Sequence, residues 1–170
     1  MTLLDFARGP ALEWSLIIFV AGSLWRLFGA LLVRRKRDLS EPRSRSTVAG
    51  GIRTVFSRMF PRKEFHSKTL FAVIAGYVLH FGLAITVFLF TPHILFFDGL
   101  LCISWQGIPK NLVMVAGAVT IATLVALLIR RMTTPMLLKI SSGDDYMSWV
   151  MTLWPVLSGM MANAHVGGPY

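Results

Sequence analysis

The chain has 170 residues, 55% of them hydrophobic and only 15% charged, with a mean hydropathy of +0.64. A soluble domain carries about a quarter charged residues, and the apolar residues here run in long blocks, so an ordinary water-soluble globule is excluded. The formal net charge of +9 would suit a nucleic-acid partner, but the Lys and Arg residues gather in connectors between apolar blocks, which argues against that class.

Four stretches, 14–33, 69–91, 112–129 and 147–164, approach or exceed the ~20 residues needed to span hydrocarbon. They predict an all-α integral membrane bundle of four transmembrane helices forming one membrane domain. The first has no basic segment close ahead of it and is followed by Arg34-Arg35-Lys36-Arg37, so it reads as a retained span rather than a cleaved signal. Arg26, toward its end, is either a snorkelling arginine or the partner of a buried anion.

The connector 34–64 holds ten of the 17 Lys and Arg residues. Arg130, Arg131 and Lys139 occupy the connector between the third and fourth spans, whereas 92–111 has only Lys110. Cytoplasmic loops keep the basic excess, which puts the amino terminus outside and both basic connectors inside. Within the first connector Ile52, Val55, Phe56, Met59 and Phe60 recur at helical spacing with Arg53 and Arg58 on other faces, ended by Pro61. This predicts a basic amphipathic cytoplasmic helix that lies on membrane lipid or docks a soluble partner. Gly50-Gly51 lacks the residues of a phosphate loop.

The second span is bracketed by His66 and holds His80. Fourteen residues on one helix place both rings on nearly the same face, ~21 Å apart along the axis. That is about the separation of two haems stacked through a bilayer, and an imidazole in a span is a functional candidate by default. Gly76 and Gly82 flank His80. They serve either to leave a flat face for a porphyrin or to let helices approach closely.

In the connector that follows, Trp105 reads as an interfacial anchor, and His93 as an interfacial histidine or, with Lys110, the lining of a quinol pocket. The single cysteine, Cys102, can form neither an internal disulfide nor an iron–sulfur or structural zinc site. The third span, with Gly117, Ala118, Ala122 and Ala126, reads as a packing helix. The fourth is the most polar, with Ser148, Thr152, Pro155, Ser158 and Asn163. It leads to His165, a further candidate ligand at the outer surface, before a Gly-Gly-Pro turn signal that suggests a missing continuation.

Phe65-His66-Ser67-Lys68, Leu79-His80-Phe81-Gly82, Thr91-Pro92-His93 and the run Met161-Ala162-Asn163-Ala164-His165-Val166-Gly167-Gly168-Pro169 occur here in a recognisable order. In these stretches and in topology the chain resembles the gamma subunit of respiratory nitrate reductase and its relatives, the dihaem cytochrome b subunits of sulfur-metabolising complexes. The resemblance implies a five-helix fold in the bacterial or archaeal cytoplasmic membrane, with two b haems held by histidines of the second and fifth helices. It implies that quinol is oxidised near the outer haem and that electrons pass inward through iron–sulfur subunits to a catalytic subunit. His80 then corresponds to the outer-haem ligand and His66 to an inner-haem ligand; the buried anion open to Arg26 in its second reading would be a haem propionate on the inner side. The 14-residue spacing is wider than in the nitrate reductase subunit itself, and a fifth span is not present, so the chain reads as truncated or completed by another polypeptide. The expected function is electron transfer from quinol, without the catalytic site of the complex. The alternative is a non-redox membrane anchor that docks a soluble partner through its basic loop. An ion transporter is disfavoured, because no Asp or Glu falls inside a span.

Overall fold

The computed structural model describes residues 5–6, 9–33 and 46–164. Every regular element among them is helical. The chain divides into two units, Met1–Thr47 and Val48–Tyr170, each described by itself.

The first unit is built on α1 (Pro10–Leu32). Pro10 stands in the first turn, where its fixed φ suits helix entry and its missing N–H is not needed, and Glu13 faces the positive end of the helix dipole. Arg26 lies on α1 less than two turns before its end. The residues Arg34–Arg37 fall outside the described residues.

The second unit begins with α2 (Thr47–Arg58), the amphipathic segment expected from the spacing. Its apolar residues Ile52, Val55 and Phe56 are exposed. A 3-10 turn, Lys63–Phe65, leads into α3 (His66–Phe88). The Tyr77 hydroxyl donates to the Met59 carbonyl at 2.6 Å, so the chain leaving α2 lies beside α3 about three turns in from His66. The connector expected at 92–111 contains a further helix, α4 (Thr91–Leu101), which apolar periodicity alone did not reveal because it continues the hydrophobicity of the preceding span. Cys102 closes it in the left-handed conformation, φ 54°. The chain then doubles back over the end of α3. Trp105 Nε1 donates to the Phe88 carbonyl at 2.6 Å and the Ile108 amide to the Leu89 carbonyl at 3.1 Å, so Trp105 ties the loop to helix carbonyls that would otherwise lack partners. A Cβ on Gly107 would press on the Leu89 carbonyl and on Thr91, which explains the glycine at this close approach.

Then follow α5 (Lys110–Thr133), the short α6 (Pro135–Ile140) and α7 (Gly143–Asn163). The helices outrun the apolar blocks at their ends for a local reason. Arg130 and Arg131 complete α5 where cations face terminal carbonyls, and Ser142 with Asp145 forms a reciprocal capping box at the start of α7.

The axis of this unit is α5. It packs antiparallel with α3, the Lys68 carbonyl near Arg130 and Gly82 against Thr120. It also packs antiparallel with α7, Leu124 meeting Trp149 and Met114 meeting Asn163. The buried stripe of α5 is Val113, Gly117, Thr120 and Leu124. Of the small residues expected to form that stripe only Gly117 belongs to it; Ala118 and Ala122 are exposed.

Among the described residues three stretches are long and apolar enough to cross a membrane: Pro10–Leu32, Thr47–Phe88 (which takes in α2 and α3) and Lys110–Thr133. The chain is thus an all-helical membrane protein by length and composition. The fourth expected span forms a helix of 21 residues, α7, but its serines, threonine and Pro155 leave it short of the apolarity of the other three.

Candidate functional site

His66 is the first residue of α3 and His80 lies four turns further along the same continuous helix. Both are exposed. The face of α3 that meets α5 is marked by its buried residues Ala75 and Gly82. His80 is displaced from both by more than a third of a turn, so its ring leaves the side of the helix away from α5.

The His80 ring is oriented by its own helix. Its Nδ1 lies 2.6 Å from the carbonyl oxygen of Gly76, one turn earlier. A carbonyl can only accept, so Nδ1 is the donor, and no hydrogen bond engages Nε2 among the described residues. This is the arrangement by which metal-binding histidines are held, with one ring N–H on a backbone acceptor and the other nitrogen free to coordinate.

The two flanking glycines part company. A Cβ on Gly76 would enter open space, so the surface beside His80 on that side is flat and uncovered. Gly82 points the other way, and a Cβ there would overlap Thr120 Oγ1. The porphyrin face expected beside Gly82 is therefore taken by α5, and Gly82 serves helix packing.

The residues present fit a haem ligand at His80 through a free Nε2 and the open Gly76 face. Among the described residues no group of three or more His, Cys, Asp or Glu side chains converges as a metal cluster. His165 lies outside the described residues. Arg26 belongs to the first unit.

A second group gathers where α3 ends. A cavity of about 150 Å³ lies between α3, the start of α4, α5 and α7, lined among others by Thr86, Phe90, His93, Met114, Pro155 and Asn163. A cavity of this size accommodates a single six-membered ring. His93 Nδ1 donates to the carbonyls of Thr86 at 3.0 Å and Val87 at 3.2 Å, in the last turn of α3. The rings of Phe90 and His93 meet nearly perpendicular, centroids 5.3 Å apart at 87°. These contacts leave Nε2 of His93 without a hydrogen-bond partner among the described residues, on a ring that lines the cavity.

Lys110 joins the same group. Its ammonium opens α5, where a cation opposes the helix dipole, and reaches instead to the Asn163 carbonyl at 2.8 Å, at the negative end of α7. The Asn163 amide lies 3.0 Å from Met114 Sδ. Of the two residues read as a quinol pocket, His93 lines this cavity and Lys110 does not, reaching only the backbone of its lining residue Asn163, whereas Asn163, Met114 and Pro155 became visible as part of it only through the packing of α7. An Asn at the polar end of a span was the available sequence signal.

Comparison with family models, with curated proteins and with solved structures gives no match.

Proposed function

We propose that this chain is a membrane electron-transfer subunit, a b-type cytochrome that passes electrons from quinol to redox subunits in the cytoplasm, in the manner of the nitrate reductase gamma subunits it resembles. The observation that carries this reading is the 2.6 Å hydrogen bond from His80 Nδ1 to Gly76. In the middle of an apolar helix it leaves Nε2 without a hydrogen-bond partner among the described residues, beside a glycine face that nothing covers. An imidazole kept in a span and aimed by its second nitrogen is a ligand in waiting.

In this reading His80 would hold one b haem and His66 a second, about four turns away on the same helix. Opposing ligands would come from His165 or from a further polypeptide. Haem supplies a one-electron acceptor that neither imidazole can replace. The cavity at the other end of α3 receives the quinol ring. There His93 Nε2 would take one of the two hydroxyl protons and water the other, the two electrons would pass one at a time to haem, and Lys110 holds the end of α7 against α5.

The orientation follows from charge. The basic connectors face the cytoplasm, the amino terminus and the His93 cavity face outward, and α7 crosses as a fourth span. The host membrane is the cytoplasmic membrane of a bacterium or archaeon. Iron–sulfur and catalytic subunits dock on the cytoplasmic side, where the exposed apolar face of α2 and its arginines are available to membrane or partner.

The test is spectroscopic. Membranes holding the full chain with its complex should show the reduced-minus-oxidised bands of b haem, and His80→Ala should lose those of one haem. A complex without b haem would remove this reading and leave the membrane anchor in its place.

A further inference from the structure

We infer that the end of α5 opposite the His93 cavity holds a binding site for an anionic phospholipid. The inference uses the membrane-crossing character of α3 and α5 and does not depend on haem or quinol.

A cavity of about 280 Å³ lies there between α3, α5, α6 and α7. One wall is apolar, made by Leu79, Leu124, Leu127 and Leu128. The other carries Arg130, Arg131 and Asp145. The two walls follow one another along α5, because its apolar run stops at Ile129 and the arginines begin at the next residue. At the end of a spanning helix that step is the boundary between acyl chains and headgroups.

The charges are not balanced within the cavity. Arg131 is engaged, 3.2 Å from Asp145 Oδ1 and 2.9 Å from Ser141 Oγ. Arg130 meets no carboxylate among the described residues, and its hydrogen bond to the Lys68 carbonyl is long, at 3.5 Å. Two arginines against one aspartate leave a net positive charge on a guanidinium whose planar fork suits a phosphate. Trp149 completes the wall, its indole fixed by a 2.9 Å hydrogen bond to the Leu124 carbonyl. A cation at headgroup depth above a leucine wall matches a phosphodiester with an acyl chain. A bare anion would use only half of this surface, and an acyl chain without charge only the other half.

Trp149 makes the site testable. The full chain is placed in phosphatidylcholine nanodiscs containing a small fraction of lipid with brominated acyl chains, either phosphatidylglycerol or phosphatidylcholine. The quenching that disappears in Trp149→Phe is the signal from the cavity. Brominated phosphatidylglycerol is expected to quench Trp149 at lower mole fraction than brominated phosphatidylcholine. Arg130→Gln should weaken that preference ~10-fold, the size of one charge-assisted hydrogen bond, with helicity unchanged. Should Arg130→Gln fail to fold, Arg130→Lys keeps the charge, loses the fork and should give a smaller loss. Lys139→Gln removes the same charge from α6 away from the cavity lining and should leave the preference intact. Equal quenching by both lipids, or an equal loss in Lys139→Gln, would overturn the proposal in favour of general surface attraction. Loss of the preference on adding inorganic phosphate would overturn it in favour of a simple anion site.

Discussion

Thr120 occupies the position that a β-carbon on Gly82 would need, and it is the one residue of the described chain whose side chain is wholly buried. Its hydroxyl is satisfied within α5 by the Ala116 carbonyl at 2.7 Å, so it brings no unpaired polar group into the contact. The helix that carries both histidines is thereby held against α5 by a glycine. Gly82→Ala should separate the two helices and cost about 1–3 kcal/mol. Thr120→Ala removes the overlapping atom, so the double variant should recover much of that loss. Unfolding of the four proteins in detergent measures the coupling, and additive losses would mean that the two residues do not share a contact.

The two histidines of α3 should separate in function. His80→Ala is expected to remove one haem and quinol oxidation with it, whereas His66→Ala should spare that haem and block electron flow onward. Haem quantitation and redox titration of the complete complex distinguish them. Two haems of unchanged potential in His80→Ala would remove α3 as the ligand-bearing helix.

The His93 cavity leads to a different signature. His93→Gln keeps a polar side chain but no titrating base, and should slow quinol oxidation about 10²–10⁴-fold with haem content unchanged. Lys110→Met should reduce the rate less, because it releases the end of α7 without removing the base. Steady-state assays with a soluble quinol, paired with haem spectra, provide the check. Full activity in His93→Gln would dismiss the cavity as the quinol site.

Asp145 links stability to pH. The Ser142 backbone N–H, at 2.8 Å, holds its carboxyl below the ordinary value of 3.8, with Ser142 Oγ and Arg131 acting in the same direction against partial desolvation. A depressed folded-state value contributes stability that is present above the unfolded value and is lost as pH falls through the folded one. The start of α7 should therefore loosen only below about pH 4, and Asp145→Asn should flatten that acid limb. Helicity followed by circular dichroism against pH, in wild type and variant, decides it; identical acid limbs would contradict the assignment.

Cys102 reports topology. It is exposed at the end of α4, so a membrane-impermeant thiol reagent should label it in intact cells if 92–111 lies outside. Labelling only after the membrane is opened would reverse the orientation.

Composition and the spacing of apolar blocks were enough to establish a helical membrane protein, because the ~20-residue hydrocarbon requirement is written in sequence-local hydropathy. The amphipathic α2 and the placement of His66 and His80 on one helix are local in the same sense, each depending on residues within a few turns. What needed the tertiary structure were relations between segments far apart in the chain. Gly76 and Gly82 look equivalent beside His80, and only the docking of α5 decides that one is an open face and the other a packing contact. Ala118 and Ala122, read as part of a packing stripe on α5, proved exposed, since the direction of a face depends on where α3 and α7 lie. His93, Lys110 and Asn163 became one group because α7 returns antiparallel along α5. Hydropathy along a chain carries no information about which ends meet, and side-chain packing between helices supplies it.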